Sequence, residues 1–137
     1  MKRLKAVPAV TALVPAGSIY PQTQPANAPW PFIRMGPPQS TPIVATCVRG
    51  AQIAMLVHAF AKPRTQGGAV IETAEDHAGR IGEAIEAALH LTGFDVDVGG
   101  ASVRMVLRLS DMRLTIDGAE ADAFHYSAQI NARILAE

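Results

Sequence analysis

Four histidines, one cysteine and one Ser-Asp pair are the residues of this chain best suited to chemistry, and their spacing argues against a reaction centre. His58, His77, His90 and His125 fall in different segments. There is no H-x-x-x-H, no C-x-x-C and no carboxylate at ligand spacing, so no metal site is expected. Cys47 stands alone in an apolar run, which excludes an intrachain disulfide and suits a small buried hydrophobe. Ser110-Asp111 with His125 can be drawn as part of a nucleophile triad. No G-x-S-x-G elbow surrounds the serine, however, and a bulge with its turn residues accounts for the pair. Gly67-Gly68 ahead of a helical stretch is placed like a phosphate loop. The P-loop lysine is missing, and Glu72, Glu75 and Asp76 would repel phosphate. No catalytic residue and no cofactor is expected.

The chemistry that remains is that of contact. The net charge is zero, but residues 1–64 hold seven cations and no acid (+7), while residues 65–137 hold five arginines against all twelve acids (−7). Such a split either draws one part of a subunit to another part of its neighbour or cancels as the two halves fold together. For the first reading, Lys62 and Arg64 are the basic candidates and Glu83 and Glu86, on the outer face of a helix, the acidic ones. Apolar candidates lie in NAPWPFIRMGPPQ, residues 27–39, where Pro29, Pro31, Pro37 and Pro38 fence Trp30, Phe32, Ile33 and Met35. Proline lacks an N–H and pushes its predecessor to extended geometry, so an edge strand at 31–35 that stops at both ends is expected.

These groups need a frame, and 137 residues suffice for one domain over 1–137 with a core free of disulfides and metals. The opening MKRLKAVPAVTALVPAGS has the outline of a secretory signal, but Pro8 interrupts a weak apolar run. An N-terminal helix whose second part begins at Pro8 is the preferred reading. No stretch reaches transmembrane length, so no membrane partner is expected. Ile19-Tyr20 reads as a short extended piece, 21–29 and 36–42 as loops, and residues 47–60 as a long central strand covered on both faces. KPRTQGG reads as a loop.

Ile71, Ala74, Ala78, Ile81, Ile85, Ala88 and Leu89 recur at steps of three and four, which predicts a helix over 69–90 ended with help from Gly93. SVRMVLRLSDMRLTID alternates but changes parity at Ser110-Asp111, which predicts a bulge or a break there. Residues 123–135 put Phe124, Tyr126, Ala128, Ile130, Ala132 and Ile134 on one face of a last strand and His125, Ser127, Gln129, Asn131 and Arg133 on the other. That second face suits either a subunit contact or plain solvent. The expected fold class is α+β: a mainly antiparallel sheet of about four strands, with one long helix and a short N-terminal helix packed on it.

The order of these features resembles the small tail terminator, or tail completion, proteins of lambda-type long-tailed phages and phage-derived gene transfer agents. The resemblance rests on PAVTALV, SIYP, PWPFIRMG, CVRGAQIAMLVHAF, KPRTQGG, GRIGEAIEAAL and LSDMRLTIDGAEADAFHYSAQINARI. It covers nearly the whole chain through hydrophobic pattern and spacing. It implies a structural virion protein without enzymatic activity: a homo-oligomer, a hexameric ring on the head-proximal end of the tail tube. That ring stops tube growth, joins the tail to the neck or connector and lets DNA pass without sequence-specific binding, after assembly in the host cytoplasm. A head-tail connector subunit, or a small soluble enzyme or ligand-binding domain, are the alternatives.

Overall fold

A computed structural model describes residues 1–46 and 48–136, so the expectation for Cys47 lies outside the described residues. The chain runs α1 (Lys2–Ala6), α2 (Pro8–Thr11), a 3-10 turn (Ala16–Ser18), β1 (Ile19–Tyr20), β2 (Phe32–Met35), β3 (Gln39–Ala45), β4 (Val48–Ala61), β5 (Arg64–Gln66), β6 (Ala69–Glu72), α3 (Ala74–Leu89), β7 (Gly93–Val98), β8 (Ala101–Ile116) and β9 (Phe124–Ala136). The fold is α+β. The sheet is larger than the four strands expected: seven strands in the order β1-β2-β4-β9-β8-β7, with β3 also on β4, plus the separate β5-β6 hairpin. Among the described strands only β1-β2 pair in parallel. Among the described residues no helix is long and apolar enough to cross a membrane.

Two Gly-Gly pairs account for much of the difference. Gly67 and Gly68 have φ of 58° and 82°, and Gly99 and Gly100 have φ of 62° and 88°. Consecutive left-handed residues form the tight turn whose twist matches a hairpin, so each pair joins two strands. Residues 69–72 are therefore β6 and not the start of the helix, and the glycine-rich 91–101 connection holds β7 and the turn into β8. The helix begins where Thr73 accepts a hydrogen bond from the Asp76 backbone N–H at 3.1 Å, with Glu75 and Asp76 in its first turn. It ends at Leu89, and Leu91 with φ of 56° makes the left-handed exit, so Gly93 is free to open β7.

The fenced strand ends at Met35, close to the expected bounds, but it is not an edge, because β1 pairs along its outer side, and the sheet continues past the prolines. Met35 pairs with Val57, the Gly36 N–H donates to the Leu56 carbonyl at 2.7 Å, and pairing resumes with Gln39 opposite Ala54. The Gly36-Pro37-Pro38 jog separates β2 from β3, both along the same side of β4. Pro42, opposite Ala51, is tolerated because, among the described residues, β3 has no strand on its outer side.

One face of the sheet carries the core. Val57, Ala59, Tyr126, Ala128, Ile130 and Leu109 meet Ala78, Ile81, Ile85, Ala88 and Leu89 of α3, and Leu4, Val10 and Val14 from the N-terminal helices join them. Pro8 stands at the first position of α2, as expected. The step from Ser110↔Gln129 to Arg113↔Ser127 inserts one extra residue in β8, with Asp111 at φ 52°, which is the expected bulge within a continuous strand.

Candidate interaction surface

Alternation directs the remaining side chains to the opposite face, where Phe32 and Phe60 are buried and Gln52, Arg108, Arg113 and Arg133 are exposed, and the register arranges them in rows. Phe32 pairs with Phe60, Phe60 with His125, and His125 with Thr115. Beside this row run Arg34, His58, Ser127 and Arg113, paired in the same way. Further along, Ala54, Asn131 and Arg108 form another row, and Gln52 pairs with Arg133.

The first two rows make a stacked cluster. The Phe60 ring lies parallel to His125 at 4.4 Å and to Phe32 at 4.8 Å, and Trp30 meets Phe32 edge-on at 5.1 Å. Arg34 sits over Phe60 at 5.5 Å and Lys62 over Trp30 at 4.9 Å. His58 Nδ1 and His125 Nε2 are 2.8 Å apart, so one ring donates and the other accepts. Burial, then His125 and Arg34, pushes the His58 pKa down to about 4. Burial also lowers His125, with Arg34 adding to the effect and Asp117 opposing it. The pair is a neutral hydrogen-bonded unit near pH 7.

Trp30, Phe32 and Lys62 thus belong to one assembly, and Arg64 lines the same depression as Trp30 and Lys62. Lys62 also holds Glu120 at 3.0 Å and Asp122 at 3.6 Å, and Arg64 holds Glu72 at 3.1 Å. Two first-half cations are therefore paired with second-half acids inside the chain. Glu83 is exposed on α3. Glu86, expected on the outer face, is half-buried and accepts the Tyr126 hydroxyl at 3.0 Å.

The other chemistry-bearing residues serve the scaffold. His77 Nδ1–H donates to the Lys62 carbonyl at 2.9 Å, and His90 Nδ1 accepts the Leu109 N–H at 3.1 Å. Ser110 accepts from Asn131 at 3.0 Å and donates to Asp111 at 3.3 Å. Its partner across β9 is Gln129, four residues from His125, so Ser110 and His125 stand roughly 13 Å apart along the strand and form no triad. Among the described residues no group of three or more His, Cys, Asp or Glu side chains is placed to hold a metal ion. The His58–His125 meeting has no local sequence signal, since the residues are 67 apart and only the β4-β9 register joins them.

A helix is thus laid across one face of a mainly antiparallel sheet, and an aromatic and cationic cluster lies on the other. The chain belongs to the phage tail completion protein gp17 family, whose sequence model matches residues 1–135. It is thus a structural phage-type tail protein. No curated protein matches it. Among solved structures, it is similar in fold to a chain in the virion of a native gene transfer agent particle. The TM-score is 0.72 and the identity 16%, over 98% of this chain and 90% of that one.

Proposed function

We propose that this protein is the tail terminator of a phage-type particle. It forms a hexameric ring on the head-proximal end of the tail tube, stops tube growth and joins the tail to the neck. The observation that carries this reading is the family match over residues 1–135. The likeness in fold to a chain of a gene transfer agent virion supports placement in the particle; the subunits would assemble in the host cytoplasm.

Two features of the subunit suit a closing ring. Among the described residues the outer side of β3 has no strand partner, and neither has β8 beyond the stretch covered by β7. These edges lie at opposite sides of the sheet, so a head-to-tail contact between them closes by rotation without a self-complementary patch. Both edges are interrupted, β3 by Pro42 and β8 by its bulge, which limits open-ended strand addition. Trp30, backed by the buried Phe32 and with Lys62 and Arg64 beside it, forms an aromatic and cationic cluster of hot-spot composition, and Glu83 is an acidic partner on α3. Glu86, tied to the buried Tyr126 on the helix-covered face, would take part only through the exposed side of α3 beside Glu83.

Native mass spectrometry tests the ring. The reading predicts a species at six times the 14.5 kDa chain, alone or on purified tail tubes. A monomer under both conditions counts against it.

A further inference from the structure

The far end of the open face carries an arginine cluster that the aromatic assembly does not use. Arg104 and Arg108 flank Val106 on β8, each two residues away and so about 7 Å along the strand. The register places Leu107 opposite Ala132, so Arg133 lies beside Val106 on the neighbouring strand, about 5 Å across. Three guanidinium groups thus surround one small apolar residue. Together with Gln52 and Asn131 they line a shallow open depression that contains no carboxylate. Gly93 leaves room for this arrangement: a Cβ there would stand 2.5 Å from Arg104 Nη2.

Pairing inside the chain leaves this charge available. Arg104 meets Asp95 at 3.4 Å with both side chains well exposed, a pair that contributes only about 0–1 kcal/mol. Among the described residues, Arg108, Arg113 and Arg133 form no ion pair. Arg113 extends the same face nine residues from Arg104, roughly 30 Å along β8, which is the reach of an extended polyanion and not of one small anion.

We propose that this end of the sheet binds the phosphate backbone of duplex DNA. Arginine presents a planar fork that matches phosphate oxygens, and the intervening Gln52 and Asn131 offer neutral donors to the same groups. The aromatic rings lie at the other end of the face, so base stacking is not available here and contact is independent of sequence. The assignment rests on the ring reading only in that the open face would then line the channel. Binding itself is a property of the folded chain.

The test uses fluorescence anisotropy of the intact protein with a random-sequence duplex across a salt series, with polyglutamate as an acidic-polypeptide probe. The variant is Arg104→Gln, Arg108→Gln and Arg133→Gln together. All three side chains are exposed, so native mass and melting temperature should match wild type and keep failure of binding separate from failure of the ring. The expected result is salt-dependent duplex binding, weakened at least about tenfold in the variant, with the slope of log K against log salt flatter by about 2 to 3. Preference for polyglutamate over duplex, absence of duplex binding at low salt, or equal binding by the triple variant would each overturn the proposal.

Discussion

The ring of Tyr126 lies against the backbone of Gly82, and the absence of a side chain on the helix makes that contact possible. A Cβ at Gly82 would stand 2.5 Å from Cε2 and 2.9 Å from Cγ of the tyrosine. The ring cannot simply swing aside, because its hydroxyl is tied to Glu86 at 3.0 Å. Burial and the Glu86 carboxylate both raise the Tyr126 pKa, so the hydroxyl stays a donor throughout the ordinary pH range.

Two helix glycines should therefore respond in opposite directions to alanine. Gly79→Ala meets only Leu114 Cδ2 at 3.8 Å and gains helix propensity, so stability should rise by about 0.5–1 kcal/mol. Gly82→Ala makes the same gain but overpacks against Tyr126 at a cost of about 1–3 kcal/mol, so stability should fall. Urea melts of both variants check this. A stabilising Gly82→Ala would show that α3 stands off the sheet.

The His58–His125 pair predicts a stability that depends on pH in the mildly acidic range. The folded pKa of His58, about 4, lies below the ordinary histidine value of 6.5, so the unfolded chain binds the extra proton first. The contribution is fully present above about pH 6.5 and is lost as pH falls toward about 4. Allowing for the partly open position of the ring, the loss by about pH 5 is on the order of 1 kcal/mol. His125, also lowered, acts in the same direction. Thermal melts between about pH 7 and pH 5 should fall less steeply for His58→Gln than for wild type. Parallel profiles would show that the pair is not the titrating unit.

Trp30 tests the proposed contact separately from the core. It is half-buried against Phe32 and under Lys62, at the margin of the subunit and outside the core cluster. Trp30→Ala should cost the folded subunit about 1 kcal/mol but weaken subunit association by about 2 kcal/mol, or roughly 30-fold. Sedimentation across a dilution series measures the second quantity. Unchanged association would remove the aromatic cluster from the ring interface.

What was legible in the residues follows from how local each signal is. The helix face from Ala74 to Leu89, the alternation of β9 and the parity change at Ser110-Asp111 are set by neighbours in sequence, and all three are present in the structure. Residues 69–72 kept a helical period by coincidence, since Ile71 lies in register with Ala74 and Ala78. The Gly67-Gly68 pair ahead of Val70 and Ile71 was the competing hairpin signal, and Gly99-Gly100 was its twin. In β3, Pro42 argued for a loop, yet an open outer edge has no need of its N–H. The stacked His58, Phe60 and His125 and the triangle of Arg104, Arg108 and Arg133 depend on strand register between distant segments. Composition revealed the charge split but not which pairs form. Lys62 with Glu120, Arg64 with Glu72 and Glu86 with Tyr126 became visible only in the folded chain.

The length of the tail tube is the most direct measure of the proposed role. Particles or tubes from cells that produce the tail with and without this protein can be measured by electron microscopy. A terminator predicts tubes of one defined length joined to heads when the protein is present. In its absence, tubes should run on to variable, greater length without heads. Tubes of normal length in its absence, whether or not heads attach, would contradict the account.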